Sequence, residues 1–150
     1  MANTYSSLFY HIVFSTKNRA AFIRPEIENR VWAYVGGIAR THKMTAIQIG
    51  GVEDHVHVLC NLTRKLAPMN LLEILKKDSS KFVKTLGPQL GAFHWQDGYG
   101  GFSVGRSGLP TVRNYIASQK EHHRRASYEE EFIALLEESG ITYDERYLWD

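Results

Sequence analysis

The stretch MTAIQIGGVEDHVHVLCNL, residues 44–62, decides the fold. Its first half is apolar and β-branched, and the glycines and acidic residues that follow favour a turn. Its second half alternates, so His55 and His57 leave one face of a strand while Val56 and Val58 leave the other. We therefore predict two strands joined by a turn, with the valine side buried.

Further elements lie on both sides of this hairpin. Residues 8–14 are β-branched and aromatic, which predicts another strand. The other predicted elements are a helix from Pro25 to about His42, a helix from Pro68 ended by Gly87-Pro88, a strand at 99–104, a helix from Pro110 to about His123, and a last helix capped by Ser127 and stopped by Gly140. The order β-α-β-β-α-β predicts an α+β fold, a ferredoxin-like split with an antiparallel sheet backed by helices on one face and additional C-terminal helices.

Length and composition favour one domain. The chain has 150 residues and 43% hydrophobic content, which suits one compact core spanning residues 1–150. No apolar stretch approaches the ~20 residues of a membrane span, and the N-terminus lacks a basic region before an apolar run. We therefore expect a soluble, cytoplasmic protein with no membrane partner. The single cysteine, Cys60, excludes an intrachain disulfide and a thiolate metal cluster.

Charge is divided unevenly along the chain. Residues 1–127 hold 17 lysines and arginines against 8 acidic residues, a charge of +9, whereas residues 128–150 hold 1 against 8, a charge of −7. A basic body favours a polyanionic partner by counterion release, and the acidic tail could pack on it or discourage nonspecific binding. The candidate phosphate contacts are Lys77, Lys81, Lys84, Arg113, Lys120 and Arg124.

Two spacings indicate a site for chemistry. In a strand, His55 and His57 lie roughly 6–7 Å apart on one face and can bind one ion, although a solvated polar face is the simpler interpretation. In a helix, Tyr115 and Gln119 share a face one turn apart, so Gln119 can complete the ligand set while Tyr115 stands beside it. A glutamine at an apolar-type position needs a polar partner. The tyrosine alone would more simply be a core residue.

Several motifs together resemble those of one family. They are Asp54-His55-Val56-His57-Val58, the run WQDGYGGFSV at 95–104, Tyr115-Ile116-Ala117-Ser118-Gln119 with His122-His123, and Gly140-Ile141-Thr142-Tyr143-Asp144. Over nearly the whole chain, the sequence resembles the single-tyrosine HUH transposases of the insertion sequence 200/605 type. The resemblance implies His55, His57 and Gln119 as metal ligands and Tyr115 as the nucleophile.

The resemblance also implies a reaction and its partners. Such enzymes cleave and rejoin single-stranded DNA through a covalent 5′-phosphotyrosine, recognise hairpins at element ends, and form homodimers in which the tyrosine helices can be exchanged. A phenol is ionised in roughly one molecule per thousand at pH 7, so attack on a phosphodiester needs a metal ion's help. Because this ligand set contains no evident carboxylate or thiolate, we expect Mg²⁺ or Mn²⁺ rather than a closed zinc site.

Other interpretations stay open at this point. His122 and His123 could assist proton transfer or contact phosphate, or they could be solvated residues at a helix end. For Asp54 we expect a turn-forming role. The chain could also be a domesticated hairpin-processing nuclease or nickase. A non-catalytic ferredoxin-like module would bind nucleic acid without cutting it.

Overall fold

The computed structural model describes residues 3–150, which form a four-stranded antiparallel sheet and five α-helices. The strands are β1 (Phe9–Ser15), β2 (Thr45–Val52), β3 (His55–Asn61) and β4 (Gly100–Val104), in the spatial order β2-β3-β1-β4. The helices are α1 (Pro25–Thr41), α2 (Pro68–Lys84), α3 (Leu109–Ala117), α4 (Gln119–His122) and α5 (Tyr128–Glu138). This order of strands and helices confirms the predicted α+β class and the βαββαβ arrangement.

The histidine strand lies inside the sheet. β3 pairs with β1 on one side and with β2 on the other, so His57 stands opposite Val13 in one neighbour and Gly50 in the other. Both ladders satisfy the backbone of β3 and hold its side chains in a fixed register. The two histidines are therefore carried by a strand that is paired on both sides.

Helices α1 and α2 cover one face of the sheet. Val56 and Val58 point into the main core there and are fully buried, as the alternation predicts. Burying each such side chain contributes on the order of 2 kcal/mol. Both helices begin with a proline in their first turn, at Pro25 and Pro68, a position where the missing N–H costs nothing.

The C-terminal helices cover much of the other face. Tyr128, Phe132 and Leu136 of α5 form a second apolar cluster with Val13 and Phe102 of the sheet. The histidine face of β3 is consequently buried as well. The alternation within the strand does not by itself predict this cover. Ser127 caps α5 as predicted, its hydroxyl accepting the Glu130 N–H at 3.2 Å.

The helix expected from Pro110 to about His123 is interrupted. α3 ends at Ala117 and α4 begins at Gln119, because Ser118 between them leaves helical geometry with φ −98° and ψ 17°. The Ser118 hydroxyl donates to the Asn114 carbonyl at 2.7 Å, a back-bond that commonly bends helices. Tyr115 and Gln119 therefore lie on two short helices instead of one.

Within residues 3–150, no helix combines the length and the apolar character needed to cross a bilayer.

Candidate active site

Side chains from β3, α3, α4 and α5 converge on the carboxylate of Glu131. Its Oε1 lies 3.0 Å from His57 Nε2 and 3.2 Å from His55 Nε2. Its Oε2 accepts hydrogen bonds from the Tyr115 hydroxyl and, at 2.9 Å, from the Gln119 amide. The four residues predicted from the sequence therefore meet around Glu131, which was not predicted.

The predicted ligand residues are deeply buried. His55 and His57 are 0% exposed and Gln119 is 1% exposed. Gln119 Oε1 lies 2.8 Å from His55 Nε2, which supplies the polar partner that a buried amide needs. The two imidazoles and the amide oxygen thus face one another, although they come from positions 64 residues apart.

Tyr115 stands at the open side of this cluster. Its ring meets the His57 ring edge-on, with centroids 5.6 Å apart, and its side chain is only partly buried. Burial and the hydrogen bond to Glu131 both raise the pKa of Tyr115. A pocket of about 290 Å³ borders the phenol and is lined also by His11, His122, Glu131 and Glu138. The phenol is thus reachable, and it is protonated in this arrangement.

Glu131 was missed, and its carboxylate lies beside the two histidines of a ligand set that was expected to contain no carboxylate. Glu131 belongs to the acidic run 129–131, which looks like part of a solvated tail. On α5, however, it falls among Tyr128, Phe132 and Leu136 at the 3–4 spacing of a buried face, and it is 3% exposed. A carboxylate inside an apolar helical stripe must have buried partners, and that was the available signal.

Two further residues orient the histidines from outside the cluster. Asp54 Oδ1 accepts a hydrogen bond from His55 Nδ1 at 2.7 Å, so Asp54 does more than form the turn expected for it. Nε2 of His11, on β1, lies 2.8 Å from Nδ1 of His57. Such outer partners fix the tautomer and the ring orientation of a ligand histidine. His11 was missed because only the register of β1 against β3 brings it there.

The two auxiliary histidines differ in their placement. His123 Nε2 lies 3.0 Å from Gln119 Oε1 and 3.2 Å from Glu131 Oε1, so it belongs to the cluster. His122 is more exposed, and its Nε2 is 3.5 Å from Glu131 Oε2. Neither is a freely solvated residue at a helix end.

The donor set suits a divalent cation. Ligand atoms of His55, His57 and Glu131 lie within 4.8 Å of one another, close enough to share one ion. Imidazole nitrogens, a carboxylate oxygen and an amide oxygen are accepted together by several divalent metals. The residues present therefore fit the metal that the resemblance implies.

The candidate phosphate contacts are scattered. Lys77, Lys81 and Lys84 lie on α2, which packs on the face of the sheet opposite the histidines. Lys120 forms an ion pair with Glu28 at 2.5 Å, and Arg124 forms one with Glu121 at 2.9 Å. Arg113 is exposed on α3, near the tyrosine. The structure brings the predicted ligands and the predicted nucleophile together, but it does not bring the predicted basic residues together.

A family model described as "Transposase IS200 like" matches residues 4–119. The chain belongs to this family. The match includes His55, His57, Tyr115 and Gln119 and ends before His122, His123 and Glu131. These last residues of the IS200-like chain thus lie outside the matched range.

Solved structures with this fold include other transposases. One is a crystal structure of a putative transposase from Deinococcus radiodurans, with a TM-score of 0.63 and 20% identity over 79% of this chain and 95% of that one. Another is a REP-associated tyrosine transposase bound to a REP hairpin, with a TM-score of 0.61 and 12% identity over 82% of this chain and 73% of that one. At such identities the likeness concerns the fold. No curated protein sequence matches this IS200-like chain.

Proposed function

We propose that this IS200-like transposase cleaves and rejoins single-stranded DNA through a covalent bond between Tyr115 and a 5′-phosphate. The observation that carries the proposal is the placement of the phenol, whose hydroxyl donates to a carboxylate that also contacts both strand histidines. A nucleophile beside a candidate cation site is the arrangement that phosphodiester attack requires. Family membership supports the same reaction class.

Each site residue has a separate role in this proposal. His55, His57 and Gln119 would hold a divalent cation, Mg²⁺ or Mn²⁺, which when bound orients a nonbridging phosphate oxygen and offsets developing charge. Glu131 Oε2 holds the Tyr115 hydroxyl and is the nearest atom to accept its proton. The pocket beside Tyr115 is where the phosphate would lie.

The bonds exchanged explain why no nucleotide cofactor is needed. The Tyr115 oxygen forms a new bond to phosphorus, and the bond from phosphorus to the 3′ oxygen breaks. Tyr115 gives up its hydroxyl proton, and the 3′ oxygen takes one proton and leaves as a hydroxyl, so that the exchange balances. A 3′-hydroxyl from another strand end reverses the step, so that cleavage and joining are one reaction.

A hairpin is the proposed form of the DNA. The REP-associated neighbour is bound to a hairpin, and this chain has its overall fold.

A homodimer is proposed as well, on the family resemblance. One chain alone brings Tyr115 against His57, so exchange of the tyrosine helices between subunits is not needed to assemble the site. Residues 105–108 would be the hinge of an exchange, or a plain connector.

The experiment is incubation with single-stranded hairpin oligonucleotides and Mn²⁺, followed by a denaturing gel. We expect a protein–DNA adduct that disappears in Tyr115→Phe. The matched control is Tyr128→Phe, which removes the hydroxyl of another tyrosine whose ring lies 4.7 Å from the His55 ring. That variant should retain the adduct.

The gel also separates the alternatives. An adduct that persists in Tyr115→Phe would remove this residue from its role. Cleavage without any joining would favour a domesticated hairpin-processing nuclease or nickase. Hairpin binding with no cleavage under any divalent metal would favour the non-catalytic module.

A further inference from the structure

We propose that Glu131 and His123 are additional ligands of the cation, so that the segment beyond the family match completes the metal centre. This inference rests on the proposed function, because it assumes that His55, His57 and Gln119 bind a metal ion. It adds two ligands from residues outside the matched range 4–119. The observations that carry it are the short distances among the ring nitrogens and side-chain oxygens of these residues.

The tautomer of His55 is set by its neighbour. His55 Nδ1 lies 2.7 Å from Asp54 Oδ1, and a carboxylate can only accept. Nδ1 therefore carries the hydrogen, and in the neutral ring Nε2 presents a lone pair. That lone pair faces Gln119 Oε1 at 2.8 Å and Glu131 Oε1 at 3.2 Å.

His123 is set in the same way by the backbone. Its Nδ1 lies 2.8 Å from the Ala126 carbonyl oxygen, which again can only accept. The Nε2 lone pair of His123 then faces the same two oxygens, Gln119 Oε1 at 3.0 Å and Glu131 Oε1 at 3.2 Å. Two imidazoles from different elements thus aim at one point.

A flip of the Gln119 amide would not place its NH₂ group toward the two imidazoles without losing another contact. Its Nε2 donates to Glu131 Oε2 at 2.9 Å, so its oxygen must point toward the two imidazoles. His55 Nε2, His123 Nε2, Gln119 Oε1 and Glu131 Oε1 therefore converge on one point. Buried acceptors in contact need a positive charge between them. Without metal, a proton on His55 Nε2 supplies that charge, and a divalent cation in its place would be bound by all four atoms at once.

The spacing of these atoms supports the same conclusion. Neighbouring ligands around an octahedral ion with bonds of 2.0–2.1 Å are about 3 Å apart. The contacts among these donors range from 2.8 to 3.2 Å, including the 3.0 Å between His57 Nε2 and Glu131 Oε1. Glu131 and His123 thus stand where ligands of one ion would stand.

The enlarged set changes the metal that the site prefers. Three imidazoles, one carboxylate and one amide oxygen form a nitrogen-rich set, which Mg²⁺ accepts less readily than Mn²⁺. We therefore expect Mn²⁺ to bind more tightly than Mg²⁺. Oε2 of Glu131 still accepts the hydrogen bond from the Tyr115 hydroxyl. The same side chain would therefore contact both the cation and the nucleophile.

The test is Mn²⁺ binding to the full chain without DNA, measured by calorimetry and by electron–nuclear double resonance on the bound ion. Glu131→Gln should weaken binding at least about tenfold, since even loss of an outer partner costs a ligand site about that much. Glu130→Gln is the matched control, because it removes the same charge from an exposed position of the same helix. The resonance spectrum should show three imidazole nitrogens in the wild type and two in His123→Gln.

Each outcome separates this inference from the function on which it rests. Absence of Mn²⁺ binding to the wild type, or binding unchanged in His57→Ala, would overturn the metal-dependent function itself. Binding that is lost in His57→Ala but equal to wild type in Glu131→Gln and His123→Gln would overturn only this inference. If Glu131→Gln does not fold, as judged by circular dichroism, Glu131→Asp keeps the charge and should still weaken binding, because its carboxylate is shorter.

Discussion

Two imidazoles on one strand have opposite preferences for charge. Burial lowers the pKa of His55, but hydrogen bonds to Asp54 and Glu131 outweigh burial and raise the pKa to about 9. For His57, burial prevails over the hydrogen bond to Glu131, and the pKa falls to about 4. Both side chains are fully buried. The difference comes from their partners, because His55 has a carboxylate on each side, whereas the charges of His55 and His123 oppose protonation of His57.

These pKa values predict a stability maximum near pH 6.5 in the metal-free protein. The contribution of His55 is complete below its unfolded pKa of about 6.5 and is lost as the pH rises toward 9, at most roughly 3 kcal/mol. The contribution of His57, which is neutral in the fold, is lost as the pH falls through about 4. Urea unfolding in EDTA across this range measures the curve. A free energy of unfolding that rises steadily from pH 6.5 to 9 would contradict the prediction, and Asp54→Asn should flatten the alkaline side.

Residue spacing could predict part of the site and no more. His55 and His57 are close in sequence, and Tyr115 and Gln119 are one turn apart, so local geometry alone placed each pair on one face. The contact between His57 and Glu131 spans 74 residues and depends on how α5 docks. No local pattern encodes such a distance, although the buried spacing of Glu131 on α5 indicated that it needed a partner.

The tyrosine helix depends on a glycine in the neighbouring strand. Gly50 of β2 stands opposite His57, and a Cβ added there would lie 2.8 Å from the Ile116 carbonyl oxygen. Ile116 is adjacent to Tyr115, so the absence of a side chain at position 50 lets α3 lie directly on the sheet. The sequence predicts a strand from Met44 to Gly51 and a turn within residues 50–54, and both glycines belong to β2, which continues to Val52. A glycine's role in helix packing is not visible until the partner helix is in place.

Gly50→Ala should displace α3 and separate Tyr115 from His57. We expect a loss of about 1–3 kcal/mol in stability, as for overpacked contacts, together with a large fall in adduct yield. Gly37→Ala is the control, because an added Cβ meets nothing nearer than 3.8 Å and lies inside α1. That change should stabilise by roughly 0.4–1 kcal/mol. Urea unfolding and the adduct assay measure both effects, and a fully stable, fully active Gly50→Ala would show that the approach is not needed.

Helix and strand positions followed from the sequence more readily than the joints between them. Proline starts and apolar periodicity located α1 and α2 closely. The break at Ser118 escaped prediction, because serine is only mildly unfavourable in a helix and its back-bond depends on the final geometry. The docking of α5 on the histidine face was not predicted for a similar reason. The sequence indicates that α5 is an amphipathic helix, but it does not show which surface the helix covers.

Across the whole molecule, the acidic tail lies on the basic body. Arg19 pairs with Glu129 at 2.8 Å, and its guanidinium also lies 5.3 Å from the Trp149 ring. Trp149 in turn packs near Phe132 of α5. Of the two roles considered for the tail, packing on the body is therefore observed. Charge segregation along the sequence signalled an interaction between the two parts but could not specify its geometry.

The same chain supplies both the nucleophile and the histidines, which predicts the outcome of a mixing experiment. Tyr115→Phe and His57→Ala proteins, denatured and refolded together, should not restore cleavage, because each site needs both residues from one chain. Co-purification of the two variants through different affinity tags establishes whether mixed dimers form. Restored cleavage in mixed dimers would show instead that the tyrosine helices are exchanged between subunits.

The most direct test of the covalent tyrosine mechanism is mass spectrometry of the trapped adduct. After cleavage of a hairpin oligonucleotide with Mn²⁺, trypsin and nuclease digestion should leave a nucleotide 5′-phosphate on the peptide of residues 114–120, with fragmentation placing it on Tyr115. A phosphate attached to any other residue, or DNA cleaved with none attached to the protein, would contradict the account.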